Sequence, residues 1–270
     1  MKKRVITAAV LLPLLLVVVL VLPKIYTGIL FGLMATIGAY ELLKGTGLVQ
    51  QPRLIAYAMV MAFLTAVPCS LPYLAPLWKP ILLVLICLLF GEVLLSHGKL
   101  SFEKVALTLA AGAVIPYFFT ALVRLHGLPQ GRFYIILPFV IAFLSDTGAY
   151  FAGRAFGKRK LAPVISPNKT VEGVYGGVLG AVLGVIIYCL VLELAFDFSV
   201  KYLYVPIYGI LGSVGAVFGD LSFSAVKRQA GIKDYGNLIP GHGGILDRFD
   251  SMIIVAPITE VLMLFLPLVV

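Results

Sequence analysis

A chain that returns every twenty residues or so to an apolar run has few architectures open to it. Such runs recur here from residue 5 to residue 269. Short segments carrying Pro or Gly break them: Pro23, Gly45 and Gly47, Pro72 and Pro76, Gly127 and Pro129, Pro163 and Pro167, and Pro240. A helix of about 20 residues, rising about 1.5 Å each, crosses a hydrocarbon layer of roughly 30 Å. The pattern predicts an all-α polytopic membrane protein of nine spans, at about 5–22, 26–43, 54–71, 76–95, 105–123, 133–152, 171–195, 203–225 and 251–269. Gly, Ala and Thr dilute the second and third runs. Charged residues make up 12% of the chain, about half the roughly 25% of soluble domains. Lys2, Lys3 and Arg4 ahead of the first run resemble a signal peptide. The run is long and no small-x-small cleavage site follows, so a retained first helix is expected.

Charge sets an orientation. Of 21 Lys and Arg, 16 lie at the N-terminus or in the even-numbered loops. Positive charge favours the cytoplasmic side, which predicts a cytoplasmic N-terminus, 153–170 loop and 226–250 loop. The net charge of +9 lies in or beside loops between spans. Anionic lipid headgroups or phosphorylated substrates are the expected partners. No basic arm or nucleic-acid motif is present, so no nucleic-acid partner is expected. Cys69, Cys87 and Cys189 fall in or near apolar runs without metal-type spacing and read as small core residues.

Polar chemistry concentrates after Arg132. This divides the sequence into a set of about five helices, 1–128, and a set of about four with polar loops, 129–270. The densest stretch runs from Asp220 to Asp250. It holds the acids Asp220, Asp234, Asp247 and Asp250, the bases Lys227, Arg228, Lys233 and Arg248, the hydroxyls Ser222 and Ser224, and His242. On a helix Asp220, Ser224, Lys227 and Arg228 share a face. The spacing of Asp247, Asp250 and Ser251 predicts a second such face. Two antiparallel helices would bring Asp220 towards Asp247 and Asp250. The three acids then either hold a hard divalent cation, which takes oxygen ligands, or pair with Lys227, Arg228 and Arg248. Between them, Gly241, Gly243 and Gly244 let backbone amides approach an anion, and His242 adds a donor or a proton-transfer group.

Two other segments carry polar groups. Ser166 is expected to cap the seventh span with Pro167 at its first helical position, while Asn168, Lys169 and Thr170 are phosphate donors at that helix start. Gly176, Gly180 and Gly184 have the spacing of close helix packing. Asp146 shares a face with Ala149, Tyr150 and Gly153, and either joins the polar site or is buried and paired. A carboxylate at membrane depth costs about 2.5–3.5 kcal/mol, so Asp146, Asp220 and Glu260 call for partners. For Glu260 a structural and a functional role are equally open.

The run Ser224, Val226, Lys227, Arg228, Lys233, Asp234, Gly236, Ile239, Pro240, His242, Gly243, Gly244, Ile245, Asp247, Arg248, Phe249 and Asp250 resembles the signature of the phosphatidate cytidylyltransferase (CDP-diacylglycerol synthase) family, with no departure from 224 to 250. Residues 145–150 and 166–173 also resemble family motifs. The resemblance implies a reaction of CTP with phosphatidic acid, giving CDP-diacylglycerol and pyrophosphate with Mg²⁺. It implies catalytic roles for Asp220, Lys227, Arg228, His242, Asp247, Arg248 and Asp250. Of these, Asp220, Asp247 and Asp250 would hold Mg²⁺ and allow a second cation, and His242 would position substrate. Substrate contacts would come from Asp146, Asn168, Lys169, Thr170, Glu172, Ser222, Ser224, Lys233, Asp234, Gly241, Gly243 and Gly244. The expected setting is the inner membrane, with the lipid bilayer as partner; a homodimer is compatible. A CTP-dependent lipid-alcohol (polyprenol) kinase and an anion or lipid transporter are the alternatives.

Overall fold

The computed structural model describes residues 9, 13–71, 73–239, 241 and 243–269. Among them, seven helices are long and apolar enough to cross a membrane: α1 (Lys24–Gly45), α2 (Pro52–Cys69), α3 (Trp78–Leu95), α4 (Phe102–Gly127), α5 (Gly131–Phe156), α6 (Val171–Phe196) and α7 (Tyr202–Gln229). Two short helices follow, α8 (Leu246–Phe249) and α9 (Met252–Phe265). The all-α membrane class is borne out. Of the nine expected spans, the first is described in part: 5–8 and 10–12 lie outside the described residues, and 13–20 are helical. The ninth is realised as the 14-residue α9, short of a full crossing.

Large apolar side chains lie outward, as lipid solvation permits: Leu83, Leu94, Leu194 and Phe265 are all exposed. Helix α3 is the extreme case, with only Leu85 and Leu89 buried. Cys87 on α3 is therefore exposed rather than a core residue, whereas Cys189 is buried and Cys69 half-buried; all three are free thiols.

Packing divides the chain into two compact units. One is Met1–Arg132 with Gln229–Phe249; the other is Phe133–Arg228 with Asp250–Val270. The 229–249 segment thus packs with the N-terminal helices. In that unit, the small residues that dilute α1 and α2 are what let the two approach. A Cβ at Gly28 would lie 2.6 Å from the Ser70 side chain, and one at Gly32 3.1 Å from Phe63. Gly112, in a π-helical turn of α4 (Ala110–Val114), has the same relation to Ala58, at 2.8 Å. Phe119 packs edge-on against Phe31 and Phe249, at 5.4 and 5.3 Å.

In the second unit α5 and α6 form the most extensive helix pair. Gly148, Gly176 and Gly180 bring the two backbones together: a Cβ at Gly176 would lie 2.7 Å from the Gly148 carbonyl, and one at Gly180 would run into the Leu144 carbonyl. The glycine spacing read from the sequence is structural. Gly212 does the same on α7 against Ile141 of α5, and Gly215 and Gly219 against α9 and its leading turn. The buried hydroxyls of Ser145 and Ser213 hydrogen-bond at 2.8 Å, and Tyr208 donates to the Leu266 carbonyl at 2.9 Å.

Two local expectations are corrected. Ser166 does not cap α6. Residues Ser166–Thr170 form strand β2, antiparallel to β1 (Lys160–Ala162). The cap is Thr170, whose extended backbone turns into the helix and whose Oγ1 accepts from the Gly173 amide at 3.1 Å. Strand pairing, which Pro167 tolerates at an edge, overrides the serine-proline start signal. Second, Asp247, Asp250 and Ser251 do not lie on one helix. Asp250 sits in a turn between α8 and α9, where its Oδ1 accepts from the Ser251 amide at 2.8 Å. This self-capping interrupts the helix.

The packing makes a stability prediction. Gly180→Ala forces a methyl into the Leu144 backbone, and overpacking of this kind costs about 1–3 kcal/mol. Its unfolding temperature in detergent should fall, while Gly91→Ala on α3, where a Cβ meets nothing within 4 Å, should leave it unchanged.

Candidate active site

Each unit organises one cluster of polar side chains. In the second unit a cavity of about 430 Å³ is lined by Asp146, Ala149, Tyr150, Gly153 and Arg154 of α5, Asn168, Lys169 and Thr170 of β2, Gly173 and Val174 of α6, and Val217 of α7. Both the strand and α5 bring polar groups to it, α5 through Asp146 and Arg154. Lys169 Nζ meets Asp220 Oδ2 at 2.5 Å, with both side chains about a quarter exposed. Asp220 Oδ1 accepts from Ser224 Oγ at 3.1 Å, one turn along α7. Asp146 lines the same cavity as Lys169. Arg154 donates to the Tyr150 hydroxyl at 3.2 Å at the cavity wall.

Glu172 plays a local part. It accepts from the amides of Lys158 and Arg159, at 3.1 and 3.2 Å, and meets Arg159 Nε at 3.8 Å. It ties the hairpin to the start of α6. Arg228 Nε donates to the Ile165 carbonyl at 3.3 Å, holding the turn of the same hairpin. Lys227 is buried and Ser222 half-buried on α7. Asp250 is buried, its Oδ1 facing the Ser251 amide and hydroxyl. Glu260 is half-buried on α9.

The first unit organises the glycine-rich loop. His242 and Pro240 lie outside the described residues. Gly241 and Gly243 have positive φ, 78° and 88°, and glycine enters that region at no steric cost. The Ile239 amide donates to the Gly243 carbonyl at 2.9 Å. Asp247, 6% exposed, accepts through Oδ2 from the amides of Tyr235 and Gly244, at 2.8 and 3.0 Å. The next two amides go to another acid: Ile245 N donates to Glu41 Oε1 at 3.0 Å and Leu246 N to Oε2 at 2.9 Å. The Gly244 amide, placed by sequence in a phosphate cradle, is thus held by a protein carboxylate, as are those of Ile245 and Leu246. Hydrogen bonds to a charged group contribute about 1.5–3 kcal/mol each, which suits a carboxylate buried this far. Lys233, Asp234 and Gly241 are exposed on the loop, and Arg248 is exposed on α8.

Glu41 was not among the residues singled out by sequence. The signal was there: it lies in the second apolar run, where an acid is costly.

Among the described residues no three His, Cys, Asp or Glu side chains are gathered as a metal ligand set. The donor chemistry of the second unit suits a magnesium-type ion all the same. Mg²⁺ typically takes one or two carboxylates and completes its shell with water and substrate phosphate, and Asp146 and Asp220 supply two.

Comparison with known proteins places the chain. The model of the Cytidylyltransferase family matches residues 2–266. A phosphatidate cytidylyltransferase of Bacillus subtilis (strain 168) is 36% identical over 261 residues, 95% of each chain. One from Pseudomonas aeruginosa is 38% identical over 272 residues, 97% of each. One from Staphylococcus saprophyticus is 40% identical over 177 residues, 66% of each.

The Lys169–Asp220 pair can be tested by a double-mutant cycle on stability, with Lys169→Met, Asp220→Asn and the double variant. Contacting charged residues couple by about 0.5–3 kcal/mol. A coupling of zero would mean that the two side chains do not act as a pair.

Proposed function

The chain belongs to the cytidylyltransferase family, and on that premise we propose that it transfers the cytidylyl group of CTP to phosphatidic acid, releasing pyrophosphate and leaving CDP-diacylglycerol. The observation that carries this is the family match over nearly the whole chain, 2–266, with relatives of that one name at 36–38% identity across 95% or more of their length. A phosphate oxygen of the lipid attacks the α-phosphorus of CTP. The bond from that phosphorus to the α–β bridging oxygen breaks, and pyrophosphate leaves with the electron pair. The attacking phosphate monoester is already anionic near neutral pH, so the step asks for no strong general base.

The protein's own groups then have charge to manage. Lys169 and Asn168 present donors to the cavity, and Lys169 keeps Asp220 oriented by its ion pair. A half-apolar cavity with a polar wall suits a phosphate carried on an acyl lipid. Asp146 and Asp220 are the carboxylates that would hold Mg²⁺, whose charge would offset that of the phosphates. The roles of Asp247, Asp250, Lys227, Arg228, Arg248 and His242 rest on the signature run. The protein is integral to the membrane, and the 16 of 21 basic residues on one set of loops favour a cytoplasmic active site in the inner membrane. The kinase and transporter alternatives are not favoured, because the relatives are named as cytidylyltransferases.

Purified protein in detergent, given CTP, Mg²⁺ and phosphatidate, should release pyrophosphate and CDP-lipid in equal amounts, and chelation of Mg²⁺ should stop it. Formation of CDP and a phosphorylated lipid alcohol would instead establish a kinase. Asp247→Asn should abolish turnover with the helical content unchanged. Wild-type turnover in that variant would remove Asp247 from the reaction.

A further inference from the structure

We infer that Glu41 is a positioning residue of the transfer site: its carboxylate sets the backbone that carries Asp247, and the glycines at 236 and 244 exist to admit it. The contact stands on geometry alone. Its consequence for turnover rests on the cytidylyltransferase reading.

Glu41 is 4% exposed and lies more than 200 positions from its partners. It opens a π-helical turn at the end of α1, Glu41–Gly45, a local widening frequent at functional sites. Each of its oxygens takes one amide, Ile245 at 3.0 Å and Leu246 at 2.9 Å. Asp247 follows directly and takes the Gly244 amide at 3.0 Å and the Tyr235 amide at 2.8 Å. Three consecutive amides are therefore fixed by two carboxylates. Moving the Asp247 backbone breaks the Glu41 contacts first.

The glycines give independent support. A Cβ at Gly236 would lie 2.6 Å from Glu41 Oε1, and one at Gly244 would lie 2.5 Å from Oε2. Neither residue has positive φ, so backbone conformation does not demand glycine at either place. The Glu41 carboxylate does. At Gly45 a Cβ would run into the Tyr235 carbonyl, so the π-turn has room for the loop only because it ends in glycine.

The test uses the full chain in detergent with Glu41→Gln, Glu41→Ala and Gly236→Ala. Two readouts run in parallel: steady-state turnover with CTP, Mg²⁺ and phosphatidate, and amide hydrogen exchange across 235–250. Glu41→Ala should lower kcat by about tenfold or more while KM for CTP moves by less than about threefold. Glu41→Gln keeps one acceptor oxygen and should fall between Ala and wild type. In Glu41→Ala, exchange at 244–249 should quicken by about tenfold or more, with Val205–Gln229 unchanged. A residue serving only overall stability would instead quicken exchange throughout and leave kcat of the folded fraction intact. Gly236→Ala keeps every polar group and displaces the same carboxylate, so it should reproduce both effects even if Glu41→Ala fails to fold. Wild-type kcat and wild-type exchange in these variants would overturn the proposal. If the wild type itself makes no CDP-lipid, the activity reading fails, and the exchange arm still decides whether Glu41 holds the loop.

Discussion

A backbone amide in an apolar protein must find an acceptor, and the segment from 230 to 249 is where regular structure cannot provide one. The helices pair their own amides. Among the described residues the loop has a single bridge, Ile239 to Gly243, and it turns to side chains. Asp247 and Glu41 between them accept four amides. Around that fastening the rest of the first unit is arranged: Tyr235 is buried with its carbonyl over Gly45, Leu246 lies over Gly38, and Phe249 packs on Phe119. The segment richest in polar residues is thereby joined to the first helices of the chain.

The second unit solves the opposite problem. Its helices approach so closely that little but backbone lies between them, which leaves polar side chains to gather where the helices part. Lys169 arrives there on a strand and Asp220 on a helix, and each offsets the other's charge. The hairpin that delivers Lys169 is itself tied down by Glu172 and Arg228. Glu172 and Arg228, to which the resemblance gives substrate and catalytic roles, thus also have structural work.

What was legible in the sequence was local or periodic. The apolar runs located the seven long helices to within a few residues, the i, i+4 spacing placed Ser224 on Asp220, and the small-residue spacing at Gly176 and Gly180 marked the α5–α6 contact. What was not legible depended on partners far away in sequence. Whether Ser166 or Thr170 starts α6 is decided by residues 160–162, which pull 166–170 into a strand. Gly244 reads as an anion-binding glycine until Glu41 is placed beside it. Even the dilution of α1 and α2, a weakness by hydropathy, is the condition for their packing. The interruption at Asp250 goes with its side-chain bond to the Ser251 amide, which no spacing rule encodes.

The α5–α6 contact also says where this chain is free to change. Along that line the smallest side chain is the only one that fits, so those positions have almost no alternatives. Helix α3, with only Leu85 and Leu89 buried, accepts at its exposed apolar positions whatever lipid accepts. Substitution should therefore accumulate unevenly, with one helix drifting almost as a membrane-soluble filler while another keeps its glycines. Anyone seeking a hardier version of the molecule has α3 to rewrite and the α5–α6 line to leave alone.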